Sequence, residues 1–176
     1  TPVEVFAGAD QDYKVTVDQL EAARTDKTTV LVFVSPSNPT GSVYTAEETA
    51  EIGRWALEHG IWVITDEIYQ NLTYEGVRAV SIVEAVPELA EQTILLNGVA
   101  KTYAMTGWRV GWMVGPADAM KLAGNLQSHL SSNVNNVAQL AAAAALNGPQ
   151  DEAEQFRLAF DRRRQLIVSE LSKIDG

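Results

Sequence analysis

The sequence predicts an α/β fold: a mostly parallel mixed sheet with helices on both faces, followed by C-terminal helices. Three observations carry that expectation. Apolar or β-branched runs recur at Val30–Val34, Ile61–Ile64 and Thr93–Leu96 without polar alternation, the pattern of strands buried on both faces. Helical patterns separate the first two runs, so strand and helix alternate. The chain has 176 residues, 46% of them hydrophobic, which is enough for one sizeable core and not for several.

Each element has a local reason. Val3-Glu4-Val5-Phe6 alternates like a half-buried strand. Thr16 with Gln19 has capping-box spacing and predicts a short helix over about 17–25, while Ser35-Pro36-Ser37-Asn38-Pro39 ends the strand at 30–34 because proline cannot continue a ladder. Thr45 and Glu48 repeat the capping-box spacing ahead of a helix whose Ile52, Trp55 and Ala56 share a face, and Gly60 stands at its C-terminal stop. Residues 83–92 read as helix or loop, and Val110–Val114 as a fourth strand. Beyond Pro116 the pattern is helical throughout. Met120, Ala123, Leu126 and Leu130 form one stripe, and 134–146 is apolar nearly all round, which predicts a buried helix. From Asp151 a long charged helix repeats Phe156, Phe160, Ile167, Leu171 and Ile174, with Arg162-Arg163-Arg164 on its solvated face. Trp55, Trp62 and Trp112 lie in apolar patterns and are expected in the core.

Composition removes several function classes. Against 23 Asp and Glu stand 13 Lys and Arg, a net charge of −10 that argues against nucleic acid as a partner. With no cysteine there is no disulfide, thiolate metal site or cysteine nucleophile, and two histidines do not make a His-rich metal site. No run approaches the ~20 apolar residues of a membrane span, so no membrane partner is expected. The chain starts at Thr1 without a leader and stops within a helical pattern at Asp175-Gly176, so both ends read as cut from a longer protein.

In open α/β sheets ligands bind beyond the carboxyl ends of the strands. The residues found there are Asn38 after the first buried run, Asp66 and Tyr69 after the second, and Lys101 after the third. Only eight residues separate Lys101 from Arg109, too few for a parallel crossover, so the fourth strand is expected to run antiparallel and to start at the edge where its predecessor ends. An amide, a carboxylate, a phenol, an amine and a guanidinium then share one rim. A lysine there, desolvated and near a cation, is favoured as the neutral amine that attacks an aldehyde. A carboxylate suits a protonated pyridine nitrogen, an arginine a phosphate, and Asn38 and Tyr69 a phenolate oxygen. Pyridoxal phosphate makes that list of demands.

Ser35-Pro36-Ser37-Asn38-Pro39-Thr40-Gly41, Asp66-Glu67-Ile68-Tyr69 and Asn97-Gly98-Val99-Ala100-Lys101-Thr102-Tyr103-Ala104-Met105-Thr106-Gly107-Trp108-Arg109-Val110-Gly111 resemble the class I and II aminotransferases, fold type I pyridoxal-phosphate enzymes, and most closely their aspartate aminotransferase branch. The three segments occur in the family's order, 28 and 35 residues apart from Asn38 to Asp66 to Lys101.

The resemblance implies that Lys101 anchors the cofactor and shuttles the substrate proton, and that Asp66 keeps the pyridine nitrogen protonated. It also implies that Asn38 and Tyr69 bond the ring 3-oxygen, that Arg109 binds the phosphate, and that Asn38 lies near the substrate carboxylate. Catalytic roles thus fall on Lys101, Asp66 and Tyr69. Family members run to roughly twice this length, so the resemblance implies a partial cofactor-binding large domain over 1–150 and the start of the long interdomain helix over 151–176. An upstream phosphate loop and a downstream small domain would lie outside the chain. The implied parent is a cytoplasmic homodimer acting on an amino acid and a 2-oxo acid, with this chain inactive alone. A serine that relatives carry just before the lysine or three before it is replaced here by Ala100 and Gly98, leaving one phosphate contact open. A β-lyase on the same scaffold and a non-catalytic folded piece remain as alternatives.

Overall fold

The computed structural model describes residues 1–174. Its elements are α1 (Val17–Ala23), β1 (Val30–Val34), α2 (Ala46–Glu58), β2 (Trp62–Asp66), α3 (Ile82–Ala85), β3 (Thr93–Gly98), β4 (Gly111–Val114), α4 (Ala117–Leu130), α5 (Asn136–Asn147) and α6 (Asp151–Leu171). Short 3₁₀ helices occupy Ala9–Gln11, Pro87–Gln92 and Thr106–Trp108. The four strands form one sheet in the order β1-β2-β3-β4. β1 runs parallel to β2 with Val30 opposite Trp62, β2 parallel to β3 with Val63 opposite Thr93, and β4 antiparallel to β3 with Gly98 opposite Gly111. The short link after Lys101 therefore reverses the chain, as its length requires.

Both expected capping boxes form. The Thr16 hydroxyl accepts from the Gln19 amide while Gln19 accepts from the Thr16 amide at 2.9 Å, and Thr45 with Glu48 repeats the arrangement at 3.1 and 2.8 Å. Such caps satisfy helix N–H groups that have no partner within the helix. Gly60 ends α2 at φ +62°, a left-handed conformation that glycine adopts without a Cβ clash.

The core lies between one face of the sheet and α1, α2 and α3. Phe33, Val63, Ile52, Trp55, Ala56, Ile61, Ile82 and Leu89 are buried there together. α2 and α3 approach so closely at Gly53 that a Cβ on it would stand 2.8 Å from Val86 Cγ2.

Five expectations are corrected, four of them because pairing and burial depend on what covers a strand or face. Residues 3–6 form no strand: β1 pairs only with β2, and Phe6 stays 83% exposed. β1 is an edge strand buried on one face only, with Val32 68% exposed on the other. Trp62, on that same open face, is 37% exposed. α5 buries only Ala138 and Ala142, while Val137 and Leu140 face outward. α6 stops at Leu171, short of Ile174, and the expected continuation through Asp175-Gly176 lies outside the described residues. Its Arg164 pairs with Glu75 at 2.8 Å and Asp161 at 2.9 Å, as a solvated helix face does. No helix among the described residues is long and apolar enough to cross a membrane.

Candidate active site

Because β1, β2 and β3 are parallel, their carboxyl ends share one edge, and the polar residues that follow them meet there. The loop after β1 is pinned on both sides of Asn38. Ser35, buried, accepts from the Tyr44 amide at 3.2 Å, and the Ser37 amide donates to Ser42 O at 2.9 Å. Tyr44 is itself fixed by the Phe33 ring, centroids 4.9 Å apart, and by the Val15 amide, which donates to its hydroxyl at 2.7 Å. Asn38 is thereby presented outward, and its Nδ2 donates to Tyr69 Oη at 3.2 Å.

Asp66 is the last residue of β2. Its Oδ1 accepts from the Ile68 amide at 3.0 Å, a side-chain turn that leaves the second carboxylate oxygen without a protein partner among the described residues. The following residues form turns, with Gln70 N donating to Glu67 O and Leu72 N to Tyr69 O, so Asp66 caps no helix.

Lys101 and Arg109 both lie in the connection from β3 to β4, residues 99–110, which the Val99 amide closes onto Val110 O at 3.3 Å. Lys101 is half-buried, and its Nζ stands 5.5 Å from the centroid of the Tyr69 ring, a cation–π distance. Its ammonium joins none of the ion pairs among the described residues. Arg109 adopts φ 55°, ψ 47°, and its guanidinium donates back to Thr106 O at 3.1 Å, its other donors having no partner among the described residues. It borders an open cavity of about 760 Å³ that reaches from Ala104 to Ala138 and that touches none of the other four residues.

The structure thus joins Asn38 to Tyr69 by a hydrogen bond, places Lys101 Nζ 5.5 Å from the Tyr69 ring, and sets Asp66 and Arg109 on the same rim without a bond to them. The donor set matches pyridoxal phosphate: a carboxylate with a free oxygen, two donors for a phenolate, an unpaired amine and a guanidinium with spare N–H groups. The missing serine has a steric cause at Gly98. A Cβ there would stand 2.9 Å from Val110 O, 3.1 Å from Gly111 Cα and 3.3 Å from Ile68 Cδ1, so a side chain requires the backbone at Val110 and Gly111 to shift.

One residue at the site escaped the sequence reading. Glu67 is 4% exposed, and its Oε1 accepts from Ser81 Oγ at 2.7 Å and Thr65 Oγ1 at 3.3 Å. Burial pushes its carboxyl above the ordinary carboxylate range, against the hydroxyls that favour the charged form. The signal available was parity: Val63, Thr65 and Glu67 alternate onto the covered face, while Asp66 takes the other.

This sheet-edge constellation defines a member of the class I and II aminotransferases. The chain belongs to that family, whose model, "Aminotransferase class I and II", matches residues 1–176. Among curated relatives it is 59% identical over 175 residues to an aspartate aminotransferase of Streptomyces avermitilis, covering 99% of this chain and 43% of that protein. It is 46% identical over 175 residues to the aspartate aminotransferase of Geobacillus stearothermophilus, covering 99% and 44%. Among solved structures, an aspartate aminotransferase from Rhizobium meliloti superposes with a TM-score of 0.92 at 38% identity, over 97% of this chain and 43% of that one. A Thermus thermophilus aspartate aminotransferase with maleate gives 0.89 at 35% identity, over 97% and 44%. The chain spans less than half the length of these relatives.

Proposed function

We propose that the full protein containing this chain is a pyridoxal-phosphate-dependent aminotransferase that moves an amino group between an aspartate-like amino acid and a 2-oxo acid. The observation that carries the reading is the contact of Lys101 Nζ, 5.5 Å from the Tyr69 ring, with a phenol that already holds Asn38 at 3.2 Å. The maleate named with the Thermus relative, a four-carbon dicarboxylate, supports the aspartate-like preference. When bound, the cofactor supplies an electron sink and a temporary holder for the amino group.

The chain's own residues supply the rest. Lys101 would anchor the cofactor through its amine and, once the substrate amine has displaced it, would take the proton from the substrate α-carbon; Asp66 would hold a proton on the ring nitrogen, and Tyr69 with Asn38 would orient the ring by donating to its 3-oxygen. Arg109 binds the phosphate with the N–H groups not spent on Thr106, and Asn38 also borders the substrate carboxylate. In this reading residues 1–150 are part of the cofactor-binding domain and α6 begins the connection to a second one. The 176-residue chain alone is inactive, and the parent works in the cytoplasm as a homodimer. The test is an assay of the full-length protein with aspartate and 2-oxoglutarate. Stoichiometric formation of oxaloacetate and glutamate supports the reading; no transfer from aspartate, with pyruvate and ammonia released without the oxo acid from an amino acid that carries a leaving group on its β-carbon, such as cystathionine, overturns it in favour of a lyase.

A further inference from the structure

Glu67 sits inside the turn that Asp66 closes, yet it faces the opposite side of the sheet. Its amide extends the ladder past β2 by donating to Leu96 O on β3 at 3.0 Å. Its buried carboxyl takes the Ser81 hydroxyl at the start of α3 and the Thr65 hydroxyl of β2, and the Ile82 amide faces it as well. Ser81 makes no side-chain cap on its own helix, because its hydroxyl is committed to Glu67. A buried carboxyl without partners is costly, so this residue has one well-satisfied position and strongly disfavoured alternatives. On either side of it are the two ends of the Asp66 Oδ1 to Ile68 amide bond, and one residue beyond Ile68 is Tyr69.

We propose that Glu67 is a positioning residue: its carboxyl, clamped by Ser81 and Thr65 behind the sheet, sets the turn that aims Asp66 and Tyr69 at the cofactor on the front. The cofactor half of this inference rests on the function proposed above; the turn half does not.

The test compares Glu67→Ala, Glu67→Gln and Ser81→Ala in the full-length protein by two readouts. One is hydrogen exchange at the Ile68 amide in the cofactor-free protein, with Val63 as an internal reference on the same strand. The other is the dissociation constant for pyridoxal phosphate. Glu67→Ala is expected to speed Ile68 exchange about fivefold or more relative to Val63 and to weaken the cofactor about tenfold, the size of one lost buried hydrogen bond or two. Glu67→Gln, whose amide oxygen accepts from the same hydroxyls, should restore both to within about twofold, with Ser81→Ala between. Wild-type exchange and affinity in Glu67→Ala and Ser81→Ala overturn the proposal, as does a Glu67→Gln protein as impaired as Glu67→Ala. Should Glu67→Ala not fold, Ser81→Ala against Glu67→Gln decides. A wild-type protein that takes up no cofactor overturns the functional reading instead, and the exchange readout still judges the turn.

Discussion

Gly98→Ala tests how tightly the Lys101 connection is closed. The added methyl would meet Val110 O at 2.9 Å and Gly111 Cα at 3.1 Å, both backbone atoms, and Ile68 Cδ1 at 3.3 Å. Only the isoleucine can swing aside cheaply. Relief therefore requires the start of β4 to retreat by a few tenths of an ångström, and the Val99 to Val110 bond, already 3.3 Å, is the first to go. Overpacking of this kind costs about 1–3 kcal/mol and the hydrogen bond about 1 kcal/mol. Against that, alanine restricts the unfolded chain by ~0.4–1 kcal/mol. The strain wins, with a net loss of roughly 2 kcal/mol, on the order of a 30-fold shift toward the unfolded state. Urea unfolding of the full-length protein should show a lower midpoint at unchanged slope. Gly124→Ala on exposed α4, where nothing lies within 4 Å, is the control and should be neutral or gain up to ~1 kcal/mol. A Gly98→Ala protein as stable as wild type would refute the close approach and the steric reason for the missing serine.

Leu89→Ala, at a fully buried site beneath α2, should lose ~2–5 kcal/mol in the same experiment. Glu21 accepts from Arg24 and from the Trp55 indole, which lowers its carboxyl from 4.5 to about 2. Its contribution is complete above pH 4.5 and disappears as pH falls toward 2, so Glu21→Gln should flatten that part of the acid-unfolding curve. Glu67 has the opposite sign. Burial raises its carboxyl, with Glu84 adding to the effect, so the folded state holds its proton longer and stability declines as pH rises past 4.5. Glu67→Gln should remove that decline, and a pH profile identical to wild type would contradict the assignment.

Local chemistry was legible in the sequence wherever its cause was local. Thr16 with Gln19 and Thr45 with Glu48 specify their helix starts by themselves, and the short path from Lys101 to Arg109 dictates the antiparallel β4. The strand-end rule placed Asn38, Asp66, Tyr69, Lys101 and Arg109 on one rim. Exposure was not legible, because it depends on partners distant in sequence or outside the chain: Val32, Trp62 and Leu140 have apolar patterns whose covering surface is not among the described residues. Glu67 was hidden beside its functional neighbour, since a one-residue shift sends a strand side chain to the other face. Gly98 read only as a missing serine, and the nearness of Val110 and Gly111 shows that a side chain there must displace the backbone.

Lys101, held near Tyr69 at the ends of three parallel strands, is proposed as the residue to which the cofactor attaches. Borohydride reduction of the full-length protein with pyridoxal phosphate, followed by peptide mass spectrometry, tests it directly. A single modified residue, Lys101, is expected, and no modification after Lys101→Ala. Attachment at another lysine, or none in the wild-type protein, would contradict it.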